Sequence, residues 1–69
     1  MAIHLKAARV DSNLTRREVV ELLREMGFKI TENTLANYEL YKTIPDIATA
    51  QALATVYKRG VDDIIFFTN

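Results

Sequence analysis

The sequence has no cysteine, one proline (Pro45), two glycines (Gly27 and Gly60), one histidine and no net charge. Without cysteine there is no disulfide framework, no thiolate zinc site and no cysteine nucleophile. The lone His4 has no partner at metal-ligand spacing and reads as a surface histidine. No apolar run exceeds a few residues, so there is no candidate membrane span. The N-terminus lacks the basic and apolar regions of a signal peptide, and a cytoplasmic protein is expected. There is no Gly-rich phosphate loop and no carboxylate pair placed for acid–base work. An enzyme is therefore not expected, and neither is a cofactor or a small-molecule substrate. Nine basic and nine acidic side chains cancel. No global field draws such a chain to nucleic acid, and any binding of that kind must find its positive charge locally.

What is present is helix. Of the 69 residues, 49% are hydrophobic, enough for one small core. A domain of this size buries only roughly 60% of its unfolded surface. No repeat or low-complexity stretch divides the chain, and residues 1–69 read as a single domain. No stretch alternates apolar and polar residues for long, whereas helical spacing recurs throughout.

A first helix is predicted from Ala2 or Ile3 to Asp11, with Leu5, Ala8 and Arg9 on adjacent turns. Thr15-Arg16-Arg17-Glu18 is a capping box, in which Thr15 and Glu18 each satisfy the other's backbone amide. Leu14 and Val19 stand at the staple positions around it. The second helix runs through Val19, Val20, Leu22, Leu23 and Met26, and Gly27 is its left-handed stop. Thr31 caps a short third helix from Glu32 to about Leu40, with Leu35 and Tyr38 facing inward. Pro45 interrupts the pattern, and Asp46 caps a fourth helix whose core stripe is Ile47, Ala50, Leu53, Ala54 and Tyr57. After Gly60, Asp62 and Asp63 favour the N-terminus of a short fifth helix, with Ile64 to Phe67 as its apolar surface. The expected fold is all-α, five short helices joined by short loops.

A capped helix, a turn and a second short capped helix with a polar outer face suit the DNA major groove, which admits one α-helix. The order of residues goes further. Leu5-Lys6 and Arg9, Leu14-Thr15 with Glu18, Thr34-Leu35, Tyr38-Glu39, Lys42 and Pro45-Asp46 resemble the Cro and lambda-repressor type of helix-turn-helix regulator. The ending Val61-Asp62-Asp63-Ile64-Ile65-Phe66-Phe67 is similar to the close of many Gram-positive and phage regulators of that type. The resemblance covers nearly the whole chain. It implies a lambda-repressor-like fold with the helix-turn-helix in helices 2 and 3, and a phage or prophage regulator, acting as a repressor on a double-stranded operator.

The chain departs from that pattern in several places. Arg24-Glu25-Met26-Gly27-Phe28 looks like an insertion, so a longer second helix and an extended turn are expected, with Phe28 or Ile30 filling the added space. Val20 stands where Ala is usual, Arg16 replaces the Gln after the capping Thr, and Tyr41 replaces the Gly after the third helix. Tyr41 then needs a different turn or a left-handed backbone.

By the same resemblance, Glu32, Asn33, Thr34 and Asn37 are base-contacting residues. Asn pairs with adenine and Glu accepts from cytosine N4. Thr31, Arg16, Arg17, Lys29, Lys42 and Thr43 are implied as backbone-contacting, and Leu40 sits where a polar phosphate contact is often found. Arg9 and Glu39 match a partly buried structural ion pair. From the residues alone, the same polar positions also read as a solvated helix face, and the fold equally serves a protein-interaction module or an antitoxin or regulator subunit. Phe66 and Phe67 are adjacent and cannot both enter one small core if helical. One ring is then left for a second subunit, and monomer and homodimer are equally open for the free protein.

Residues 1–29 carry six basic and four acidic side chains, and residues 30–69 carry three and five. Neutrality is thus a matter of placement, with the surplus of positive charge gathered around the expected helix-turn-helix.

Overall fold

Four α-helices carry most of the chain: α1 (Leu5–Asp11), α2 (Arg16–Glu25), α3 (Glu32–Glu39) and α4 (Ile47–Val56). The computed structural model describes residues 1–68. Three of the helices open on the expected caps. The Thr15, Thr31 and Asp46 side chains accept from the amides of Glu18, Thr34 and Thr49 respectively. In the Thr15 box the Glu18 carboxylate also accepts from the Thr15 amide at 2.9 Å. Hydrogen bonding to Thr15 holds the Glu18 carboxyl below its ordinary pKa, and hydrogen bonding to Thr49 does so for Asp46.

All four helices close in one way. The amides of Leu14, Phe28, Lys42 and Arg59 reach back to the carbonyls of Arg9, Leu23, Asn37 and Ala54. The residue before each takes a positive φ: Asn13 (58°), Gly27 (92°), Tyr41 (61°) and Lys58 (56°). This is the Schellman ending, which satisfies the orphan carbonyls of the last turn. Only Gly27 adopts it without a Cβ penalty. Tyr41, where the family resemblance has Gly, is therefore left-handed. At Lys58, which is exposed, glycine is expected to add about 0.5–1 kcal/mol of stability, the left-handed penalty relieved less glycine's entropy cost. A urea midpoint that stays still or falls in Lys58→Gly would show that the left-handed turn is not strained.

The fifth helix is not formed. Val61–Asp63 make one 3-10 turn, and Ile64–Ile65 form a short strand, β2, paired in parallel with β1 (Ile3–His4). The register is Ile3 with Ile64 and His4 with Ile65. The first helix accordingly starts at Leu5, since the backbone of the two residues before it is committed to the strand. Phe66 and Phe67 follow β2 in non-helical backbone. Phe66 packs against the core while Phe67 is 60% exposed.

The core is built on one fully buried leucine from each helix: Leu5, Leu23, Leu35 and Leu53. Burying such a side chain is worth about 1.5–3 kcal/mol. Val19, Ala8, Ala52, Ala54, Tyr57 and Ile64 complete the cluster, with Leu14, Phe28 and Ile30 packed at its edge. Phe28 and Ile30 lie in the 26–31 connection, so this connection brings its own apolar anchors. On α4 the buried face differs from the predicted stripe. It reaches round to Thr49 and Ala52, leaving Ile47, in the first turn, 79% exposed. Leu22 on α2 and Met26 at its C-cap are also exposed.

Candidate nucleic-acid interface

The outer face of α3 is set by what its inner face buries. Leu35 is fully buried and Glu39, one turn later, is nearly so. At 100° per residue, Asn33 and Asn37 then lie on the opposite side of the helix. Glu32 and Asn33 are exposed and Asn37 is half-buried. Among the described residues, none of these three side chains makes a hydrogen bond within the protein. Thr34 is different, because its hydroxyl lies 3.0 Å from that of Thr31 and is held at the cap.

Glu39 is the hub beneath this helix. Its carboxylate, 1% exposed, accepts from Arg9 Nε at 2.7 Å and from Arg16 Nε at 3.0 Å. A second Arg9 nitrogen donates to Glu39 at 3.3 Å, and a third donates to the Leu14 carbonyl at 3.0 Å. The hydrogen bond that Arg9 donates to Glu39 raises the Arg9 pKa further, outweighing the opposing effect of burial. This one carboxylate ties α1, the N-terminus of α2 and the C-terminus of α3 together. Arg16 therefore does two things: one edge of its guanidinium is fixed by Glu39, and its side chain remains 36% exposed.

The other positions expected at the DNA backbone are on the surface. Lys29, Lys42 and Thr43 are exposed. Arg17 is paired with Glu21 at 3.3 Å in a solvent-exposed contact, which water and salt weaken readily. Arg59 donates to Asp11 at 2.9 Å, away from this set, and pins the end of α4 to the end of α1.

A family model described as helix-turn-helix matches residues 5–64, from the first residue of α1 to the first of β2. The chain belongs to the helix-turn-helix family. No curated protein and no solved structure matches it. A helix-turn-helix protein is a DNA-binding regulator, and no helix among the described residues is long and apolar enough to cross a membrane.

Two features of this helix-turn-helix protein were not assigned by sequence reasoning, and a third, the place of Leu40, was. The Tyr41 hydroxyl bonds His4 Nδ1 and donates to the Ile65 carbonyl at 3.4 Å, clasping the loop after α3 to both strands. The Tyr57 hydroxyl is buried without a hydrogen-bond partner among the described residues. Burial pushes its pKa up, Glu39 pushes it further, and Arg9 opposes both. Leu40, at the end of α3, is 60% exposed. The clasp and the orphan hydroxyl depend on contacts distant in sequence, which local patterns do not carry.

Proposed function

We propose that this helix-turn-helix regulator reads a DNA operator sequence-specifically through α3, the second helix of a helix-turn-helix formed by α2 and α3. The observation that carries the reading is the outer face of α3, where Asn33 and Asn37 are free of internal hydrogen bonds while Leu35 and Glu39 anchor the helix from behind, with Glu32 exposed and likewise free at the first helical position. Asn33 and Asn37 bond adenine edges and Glu32 accepts from cytosine N4. Thr34 supports the Thr31 cap. Arg16, Arg17, Lys29, Lys42, Thr43 and the Thr31 end of α3 face phosphates, and Arg17 leaves Glu21 to do so. The regulator acts by occupancy, as a cytoplasmic repressor of the Cro and lambda-repressor type from a phage or prophage, without chemistry of its own. Two copies, joined through the exposed Phe67, place their α3 helices about 34–36 Å apart on a palindrome.

The reading is tested by titration against random and selected duplexes at several salt concentrations. With about four to six phosphate contacts, the log–log salt slope is expected near −4 to −5. Asn33→Ala is expected to weaken binding to the selected duplex by about 1–3 kcal/mol and to leave random duplex nearly unchanged. A flat salt response with no binding at low salt would overturn DNA as the partner. Equal losses on both duplexes would remove Asn33 from base reading. Sedimentation of a monomer both free and on DNA would remove the dimer.

A further inference from the structure

The geometry points to an operator half-site that is rich in A·T pairs where α3 lies, read through adenine edges and thymine methyl groups together. This inference rests on the reading of α3 given above and extends it to the class of sequence bound.

The first observation is what α3 does not offer. Its eight residues, Glu-Asn-Thr-Leu-Ala-Asn-Tyr-Glu, include no arginine or lysine. The commonest specific contact to guanine is a bidentate arginine or lysine on O6 and N7. The helix has no side chain for it.

The second observation is the composition of the outward stripe. At 100° per residue, Asn33, Asn37 and Leu40 fall within about 60° of one another, opposite Leu35 and Glu39. Ala36 flanks them. The stripe therefore alternates amides with hydrocarbon. An amide matches adenine, which presents the N7 acceptor beside the N6 donor, and hydrocarbon matches thymine, whose C5 methyl projects into the same groove. A·T pairs present both partners to one helix face.

Leu40 gives the stripe its apolar end. Its side chain is 60% exposed, although its backbone is well held, with its amide bonded to the Ala36 carbonyl at 2.9 Å. A phosphate contact needs a donor, which leucine lacks. Against a thymine methyl, the same side chain removes apolar surface from water on both partners. Lys42 and Thr43 follow immediately and supply donors for the adjoining backbone. Glu32, at the start of the helix, confines any cytosine to that end of the half-site.

The test is selection of bound duplexes from a random pool with the full chain, followed by atom-level substitution in the selected duplex. Replacing thymine by uracil removes the C5 methyl alone, and 7-deazaadenine removes the N7 acceptor alone. The expected core is A·T-rich. Uracil at one or more positions weakens binding about fourfold, the worth of one methyl group taken from water. Leu40→Ala then binds the thymine and uracil duplexes alike at one such position, and Asn37→Ala loses the sensitivity to 7-deazaadenine. The exposure of Leu40 keeps that variant folded, and its circular dichroism checks this. A selected core dominated by G·C, or indifference to uracil at every thymine, overturns the inference while DNA binding itself stands. Failure to enrich any duplex, with no salt-dependent binding, overturns the α3 reading as well.

Discussion

Glu39→Ala is expected to lose about 3–5 kcal/mol of unfolding free energy, because it leaves buried positive charge without a partner. The Arg9 side chain is 11% exposed and directs two nitrogens at the missing carboxylate, while Arg16 loses its only ion-pair partner among the described residues. Stabilities of about 0.05–0.15 kcal/mol per residue are usual for folded domains. For a 69-residue chain this loss is then a large share of the whole, and Glu39→Ala is expected to be largely unfolded or close to it at 37 °C. Urea unfolding followed by circular dichroism measures the change. The cause is separable from lost contact area. A double variant, Arg9→Met with Glu39→Leu, removes both charges of the buried pair and is expected to recover most of the stability lost. If Glu39→Ala costs under about 1 kcal/mol, or the double variant is no better than the single, the uncompensated-charge account fails.

The second large effect is expected at Leu35. It is fully buried, and its truncation leaves a cavity where α3 meets the core. Leu→Ala at such sites costs about 2–5 kcal/mol, the spread reflecting how far the surroundings collapse. Leu35→Met, which keeps the volume, is expected to cost under about 1.5 kcal/mol. Equal midpoints for the two variants in urea would rule out the cavity as the cause. The position also links packing to recognition, since Leu35 fixes which side of α3 faces outward. Apparent DNA affinity of Leu35→Ala is accordingly expected to fall as its folded fraction falls, and that of Leu35→Met to stay near the parent.

The parts of the fold that were readable are those governed by neighbours in sequence. The Thr15–Glu18 box, the Thr31 and Asp46 caps and the Gly27 stop each lie within one turn of the bond they make. The strand pair was not readable. Two residues at each site carry no alternation to detect, and Ile3 and Ile64 define each other only in space. The fifth helix was a local inference overruled by that pairing. Ile47 failed for a related reason: it fits the helical spacing, but the core it would enter is reached instead by Thr49 and Ala52.

At the candidate site the balance is similar. The spacing within Glu32–Glu39 was enough to place Asn33 and Asn37 outward and Leu35 inward. The engagement of Arg16 by Glu39 crosses from α2 to α3, and helical periodicity has no means of registering it. The left-handed backbone at Tyr41 was readable only as one of two alternatives, because a residue other than glycine does not announce that conformation. Its clasp on His4 and Ile65 supplies partners that hold it there.

The parallel pairing of β1 and β2 has a mechanical consequence. A parallel pair requires a crossover connection, and here every helix of the chain lies within that crossover. Traction on the two termini pulls the start of one strand and the end of the other in opposite directions along the strand axis. The β1–β2 hydrogen bonds are then loaded in shear, side by side, and not unzipped one at a time. They bear the load before any helix does, so a tether at either end of the regulator meets the sheet first and the α3 face last.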